Sequence, residues 1–197
     1  SLRALGFTEH SYAHVGRCAA IAGDLLRDLG YDEHTIELCR IAAFMHDIGN
    51  VVNRNDHAQT GAVMAFRILD KMGMPPADVA AVITAIGHHD DPTAYPVNAV
   101  AAALILADKT DVRRSRVRNK DLASFDIHDR VNYAVEESVT RLDRTAGTFT
   151  LTLTINTQVC PVMDYFEIFL QRMLLCRKAA EFFHLTFHLD INGQDLL

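Results

Sequence analysis

Apolar residues recur at helical intervals along the first two thirds of the chain. Val15, Ala19, Ala22, Leu25, Leu26 and Leu29 fall on one face of a helix expected over 8–29, which Gly30 then stops. Asp32 is the expected cap of a second helix, whose Ile36, Cys39, Ile41, Ala43, Phe44 and Ile48 lead to Gly49 and set His46 and Asp47 in its last turn. Asp56 is the expected cap of a third, with Ala58, Ala62, Ala65, Phe66 and Leu69 inward, before Gly73 and Pro75-Pro76 break the chain. A fourth is predicted over 77–88. The polar 89–96 segment, with Pro92 and Pro96, reads as a loop into a fifth helix rich in alanine and leucine that carries Asp108.

A sixth helix is expected over 127–144, with Val131, Ala134, Val135, Val139 and Leu142 on one face, and then the period changes to two. Phe149, Leu151, Leu153 and Ile155 alternate with threonines, and Leu185, Phe187, Leu189 and Ile191 alternate with polar residues, as half-buried strands require. A long helix over 161–182 separates them. The expected fold class is therefore mainly α: a bundle of five or six helices with a small C-terminal strand-helix-strand extension. The stretch 113–120, with four arginines, marks the boundary region, giving one domain over 1–125 and an α+β extension over 126–197. Open strand edges in that extension predict pairing with a second copy, a homodimer.

A net charge of −6 argues against general nucleic-acid binding, and no apolar run approaches the roughly 20 residues of a membrane span. Cys18, Cys39, Cys160 and Cys176 lack CxxC spacing and three sit among apolar neighbours, so buried free thiols are expected, and with no leader pattern a cytoplasmic location.

Histidines and aspartates gather near the predicted helix ends of the first 110 residues, while leucine, isoleucine, alanine and phenylalanine fill the core positions. Imidazole with carboxylate suits one or two divalent transition-metal ions among Fe, Mn, Zn, Co and Ni, whereas an all-oxygen shell suits Mg or Ca. The order is His14, then Phe44-Met45-His46-Asp47-Ile48-Gly49, then Leu104-Ile105-Leu106-Ala107-Asp108. Over roughly 8–118 it resembles the HD superfamily of metal-dependent phosphohydrolases, named for the adjacent His-Asp pair. His57 followed by Gly61, and His88-His89 before Asp90-Asp91 and Tyr95-Pro96, resemble the further histidines of dinuclear members, including the HD-GYP branch. Asn50 stands where many members carry lysine, and Ala94-Tyr95-Pro96 where that branch has Gly-Tyr-Pro.

The resemblance implies an HD-domain helical bundle in which His14, His46, Asp47 and Asp108 hold one ion and Asp47, His57, His88 and His89 a second, with Asp47 bridging. It implies hydrolysis of a phosphomonoester or phosphodiester, of a nucleotide above all, by a metal-activated hydroxide. Asp47 and His89 then stand at the chemistry. Asp111, one helical turn beyond Asp108, is placed to orient a ligand or give a proton to the leaving group, and Asn50, Arg113, Arg114 and Arg116 to bind substrate. Taken singly, a histidine at a helix end is ordinarily a solvated or hydrogen-bonded residue, and that reading holds for His10, His184 and His188; Asn50 reads equally as a helix-end cap, and the arginines as a solvated helix end. Two other functions fit the same residues: a regulatory module that binds metal and nucleotide without turnover, and a di-iron oxygenase of the same fold.

Overall fold

The structure is a computed structural model that describes residues 12–90, 92–119, 121 and 124–196. Its contacts divide the described residues into two compact units, one over 12–108 and the other over 109–196. The start expected for the first helix, at 8, and His10 lie outside the described residues.

The first unit holds α1 (Tyr12–Asp28), α2 (Glu33–Met45), a 3-10 turn (Ile48–Val51), α3 (His57–Lys71), α4 (Pro76–Gly87) and α5 (Ala99–Lys109). α1 buries His14, Val15, Cys18, Ala22, Leu25 and Leu26, and ends in a Schellman closure. There Tyr31 N–H donates to Leu26 C=O at 3.0 Å and Gly30 takes φ 86°, a backbone setting glycine adopts without a Cβ penalty. Asp32 caps α2, accepting from Thr35 N–H at 3.0 Å. Pro76 opens α4 at a position whose N–H needs no partner. Asn98 Oδ1 accepts from Ala101 N–H at 2.7 Å to start α5, in which every residue from Val100 to Ala107 is buried. A helix enclosed all round is the axis of its unit, and this one carries Asp108 in its last turn.

Two local expectations differ from the structure. Asp56 precedes α3 but makes no side-chain cap bond, because its backbone is left-handed, at φ 57°. Phe66 is half exposed, since the inward face of α3 runs through His57, Ala58, Gly61, Ala65 and Leu69 and leaves the next position turned outward.

The second unit holds a 3-10 turn (Arg114–Arg116), α6 (Ile127–Ala134), β1 (Val135–Asp143), β2 (Thr148–Ile155), α7 (Val162–Phe182), β3 (Thr186–Ile191) and β4 (Gln194–Asp195). The sheet order is β1-β2-β3-β4, antiparallel except for β2 and β3, which run parallel and are joined through α7. Phe149, Leu151, Leu153 and Ile155 of β2, with Phe187, Leu189 and Ile191 of β3, are buried, as are Tyr165, Phe169, Met173 and Cys176 of α7. The helix expected over 127–144 is corrected here: it stops at Ala134, and 135–143 pairs with β2, Leu142 opposite Phe149 and Thr140 opposite Leu151. Val135, Val139 and Leu142 satisfy a helical spacing, but β2 needs a ladder partner and the short 144–147 turn supplies one. The four cysteines are buried and form no disulfide, and burial pushes the Cys39 thiol up to about 12. The fold is mainly helical with a small C-terminal strand region.

Candidate metal centre

Four imidazoles form a row in the first unit. His14 and His46 meet edge to face with centroids 5.2 Å apart, His46 and His89 at 4.9 Å, and His89 and His57 at 5.1 Å. All four are buried. They come from α1, the end of α2, the end of α4 and the start of α3, and Asp108 from the end of α5 completes the set.

Close backbone approach brings these ends together. A Cβ on Gly49 would lie 2.0 Å from His57 C=O and 2.6 Å from Gly61 N, so only glycine lets the 48–51 turn rest on the first turns of α3. That contact sets His57 beside His46 and Asp47. Gly61 serves the same packing from the other side, its missing Cβ facing Gly49 N and His46 C=O at 3.3 Å.

Asp47 has one carboxylate oxygen on each side of the row. Oδ2 is 3.5 Å from His46 Nε2 and 3.6 Å from His14 Nε2, while Oδ1 is 3.4 Å from His57 Nε2. Asp108 Oδ1 lies 3.3 Å from His14 Nε2 and 3.7 Å from His46 Nε2. Asn50 Nδ2 donates to Asp47 Oδ1 at 2.7 Å, which holds the carboxylate in this orientation.

The histidine tautomers follow from the backbone. Nδ1 of His46 donates to Ala43 C=O at 2.7 Å, that of His57 to Arg54 C=O at 3.0 Å, that of His88 to Thr84 C=O at 2.9 Å and that of His89 to Ile86 C=O at 2.6 Å. A carbonyl only accepts, so in each neutral ring Nδ1 carries the proton and Nε2 presents a lone pair. His46 Nε2 is buried with no hydrogen-bond partner among the described residues. The Nε2 atoms of His57 and His89 stand 3.3 Å apart, two lone pairs face to face. Burial, and then the charge of Arg54, holds the His57 pKa below the ordinary histidine value.

Buried carboxylates among lone-pair nitrogens are costly unless a cation answers them. Among the described residues, two groups of possible ligand atoms, each mutually within 4.8 Å, satisfy the demand: His14, Cys18, His46 and Asp108, and His46, Asp47 and His89. The donor chemistry thus fits a divalent transition metal.

The structure brings together His14, His46, Asp47, His57, His89 and Asp108. His88 enters none of the ring contacts of the row; among the described residues its ring bonds Thr84 C=O. In the second unit the Asp111 carboxylate is buried and receives Arg113 Nε at 2.8 Å, with Arg116 Nη1 at 3.8 Å. Arg114 donates to Tyr133 C=O at 2.6 Å and lies over the Tyr133 ring. Three residues join the cluster unannounced by the motif. Cys18 sulfur is 3.7 Å from His14 Nδ1 and was legible as the position one turn along the same helix face. Asp90 Oδ2 is 3.6 Å from His57 Nε2, and Arg54 Nη1 is 3.2 Å from it.

The HD domain family profile matches residues 11–134, and the chain belongs to that family. It is a family of metal-dependent phosphohydrolases. Among curated proteins the chain is similar to a ribonuclease Y of Cutibacterium acnes, 32% identical over 143 residues, which covers 70% of this chain and 23% of that protein. Among the described residues no helix is long and apolar enough to cross a membrane.

Proposed function

We propose that this chain hydrolyses a phosphate ester of the nucleotide class, with at least one divalent transition-metal ion held by His14, His46, Asp47 and Asp108. The observation that carries the reading is Asp47, one oxygen toward His46 and His14 and the other toward His57, beside a His46 Nε2 that is buried with no hydrogen-bond partner among the described residues. A bound ion supplies positive charge to phosphoryl oxygens and makes water ionise nearer neutral pH.

The chain's own residues do the rest. Asn50 orients Asp47 rather than reaching for substrate, and His89 stands buried between His46 and His57, its Nε2 3.3 Å from His57 Nε2. Asp111 is neutralised by Arg113, which favours a role in ordering the 111–116 segment over proton donation. A groove of about 960 Å³ runs past Asp47 between Tyr12, Val15, Phe44, Ile48, Leu69 and Met72, a place where a base can stack. Ribonuclease activity in a relative supports the inclusion of RNA phosphodiesters, while the net charge of −6 favours small nucleotides over long strands. The extension over 126–197, whose β1 is an edge strand, is proposed to pair with a second copy.

The test is a panel of nucleoside monophosphates, triphosphates, cyclic dinucleotides and short RNA, with Mn2+ and with Asp47→Ala as control. Turnover by the wild type, lowered at least about 100-fold in the variant, is expected. Metal-loaded wild type inert across the panel sinks the hydrolase reading.

A further inference from the structure

Arg54 sits in the loop between the 48–51 turn and α3, and its guanidinium reaches the His57 side of the cluster. Nη1 is 3.2 Å from His57 Nε2, 3.4 Å from Asn50 Oδ1 and 3.7 Å from Asp47 Oδ1. Nη2 is 3.3 Å from Asp90 Oδ2. Asp47 Oδ1, His57 Nε2 and Asp90 Oδ2 are the atoms that a second metal ion on this side would need.

The two occupants exclude each other. Nδ1 of His57 is committed to Arg54 C=O, so the ring has a single lone pair, at Nε2, and it serves either an N–H donor or a metal ion. A guanidinium keeps its charge at any pH a protein survives, so it cannot step aside by losing a proton. A divalent ion arriving beside it meets like charge at contact distance. Arg54 is also reachable from solvent, since Arg54, His57, Gln59, Asp90 and Pro92 line a cleft of about 410 Å³.

We propose that Arg54 is the second cation of this centre, filling the position between Asp47, His57 and Asp90, so that the cluster holds a single divalent ion on the His14, His46 and Asp108 side. The proposal rests on the metal-dependent hydrolase reading and changes its count of ions. His57 and Asp90 then act as positioning residues for the guanidinium, and the half of the centre that dinuclear relatives give to metal is built from the protein's own charge.

The experiment is Mn2+ titration of the chelator-stripped full chain by calorimetry, with elemental analysis after gel filtration and circular dichroism to verify folding. Wild type is expected to bind one equivalent. Arg54→Ala and the milder Arg54→Gln are expected to bind two, the second at least about tenfold tighter than any second event in wild type. Arg54→Ala combined with His57→Ala should return to one. Two equally tight equivalents in wild type overturn the proposal, and so does a single equivalent in both Arg54 variants. Folded wild type that binds no Mn2+ sinks this proposal together with the metal-centre reading, and so is told apart from a wrong ion count.

Discussion

The two units of the chain enclose different chemistry. In the first, the most deeply buried side chains include His14, His46, His57 and His89 with Asp47 among them; in the second, the strands and α7 close over Phe149, Leu151, Leu153, Phe187, Leu189, Tyr165 and Phe169. The second unit is stabilised by transfer of apolar surface from water, which needs nothing from outside. The first also carries an apolar axis in α5, but around its end it buries lone pairs and carboxylates whose stabilisation depends on a cation. One unit is complete as a folded chain, and the other is built to be completed.

The largest effect that sharpens this contrast is expected in the second unit. Leu151 is fully buried in β2, so Leu151→Ala should cost about 2–5 kcal/mol in a denaturant titration while leaving metal affinity unchanged. A matching loss of affinity would mean that the two units are not separable in this way. Next comes metal loading: at a concentration about 100 times Kd it should add about 2.7 kcal/mol, read by hydrogen exchange as protection concentrated in 12–108. Equal protection of Thr148–Ile155 and Thr186–Ile191 would break the comparison. The smallest is Gly49→Ala, expected to cost about 1–3 kcal/mol because the 48–51 turn must lift from α3. Unlike Leu151→Ala, it should also weaken metal binding, since the 48–51 turn follows His46 and Asp47 directly in the chain and its displacement shifts both.

Regular elements were legible where one period ruled. The helix of 12–28 and the alternating strands 148–155 and 186–191 each carry an unambiguous pattern in their apolar residues. The segment 135–143 fits both periods, and its partner across a short turn decides between them, which no local pattern contains. Positions in the site divide similarly. His14, His46, Asp47 and Asp108 are recognisable because a motif orders them along successive helices. Between His88 and His89 the sequence offers no choice, since neighbours point about 100° apart and only the exit angle of α4 selects one. Arg54 is invisible for another reason: a loop arginine reaches whatever the tertiary path places within its length, and here that is His57 and Asp90. The arginines after Asp108 show the converse. As a run of charge they suggest phosphate binding, yet Asp111 accepts Arg113 on its carboxylate and Arg116 on its backbone carbonyl, both from within five residues.

The most direct test of the central claim is the metal content of protein purified without chelators, for the wild type and for a variant with His46→Ala and Asp108→Ala. The buried His14, His46 and Asp47, with the partly buried Asp108, predict a transition metal near one equivalent per chain in wild type, and loss of it in the folded variant. A folded wild type that is metal-free and cannot be loaded with Mn, Fe, Co, Ni or Zn would contradict the account.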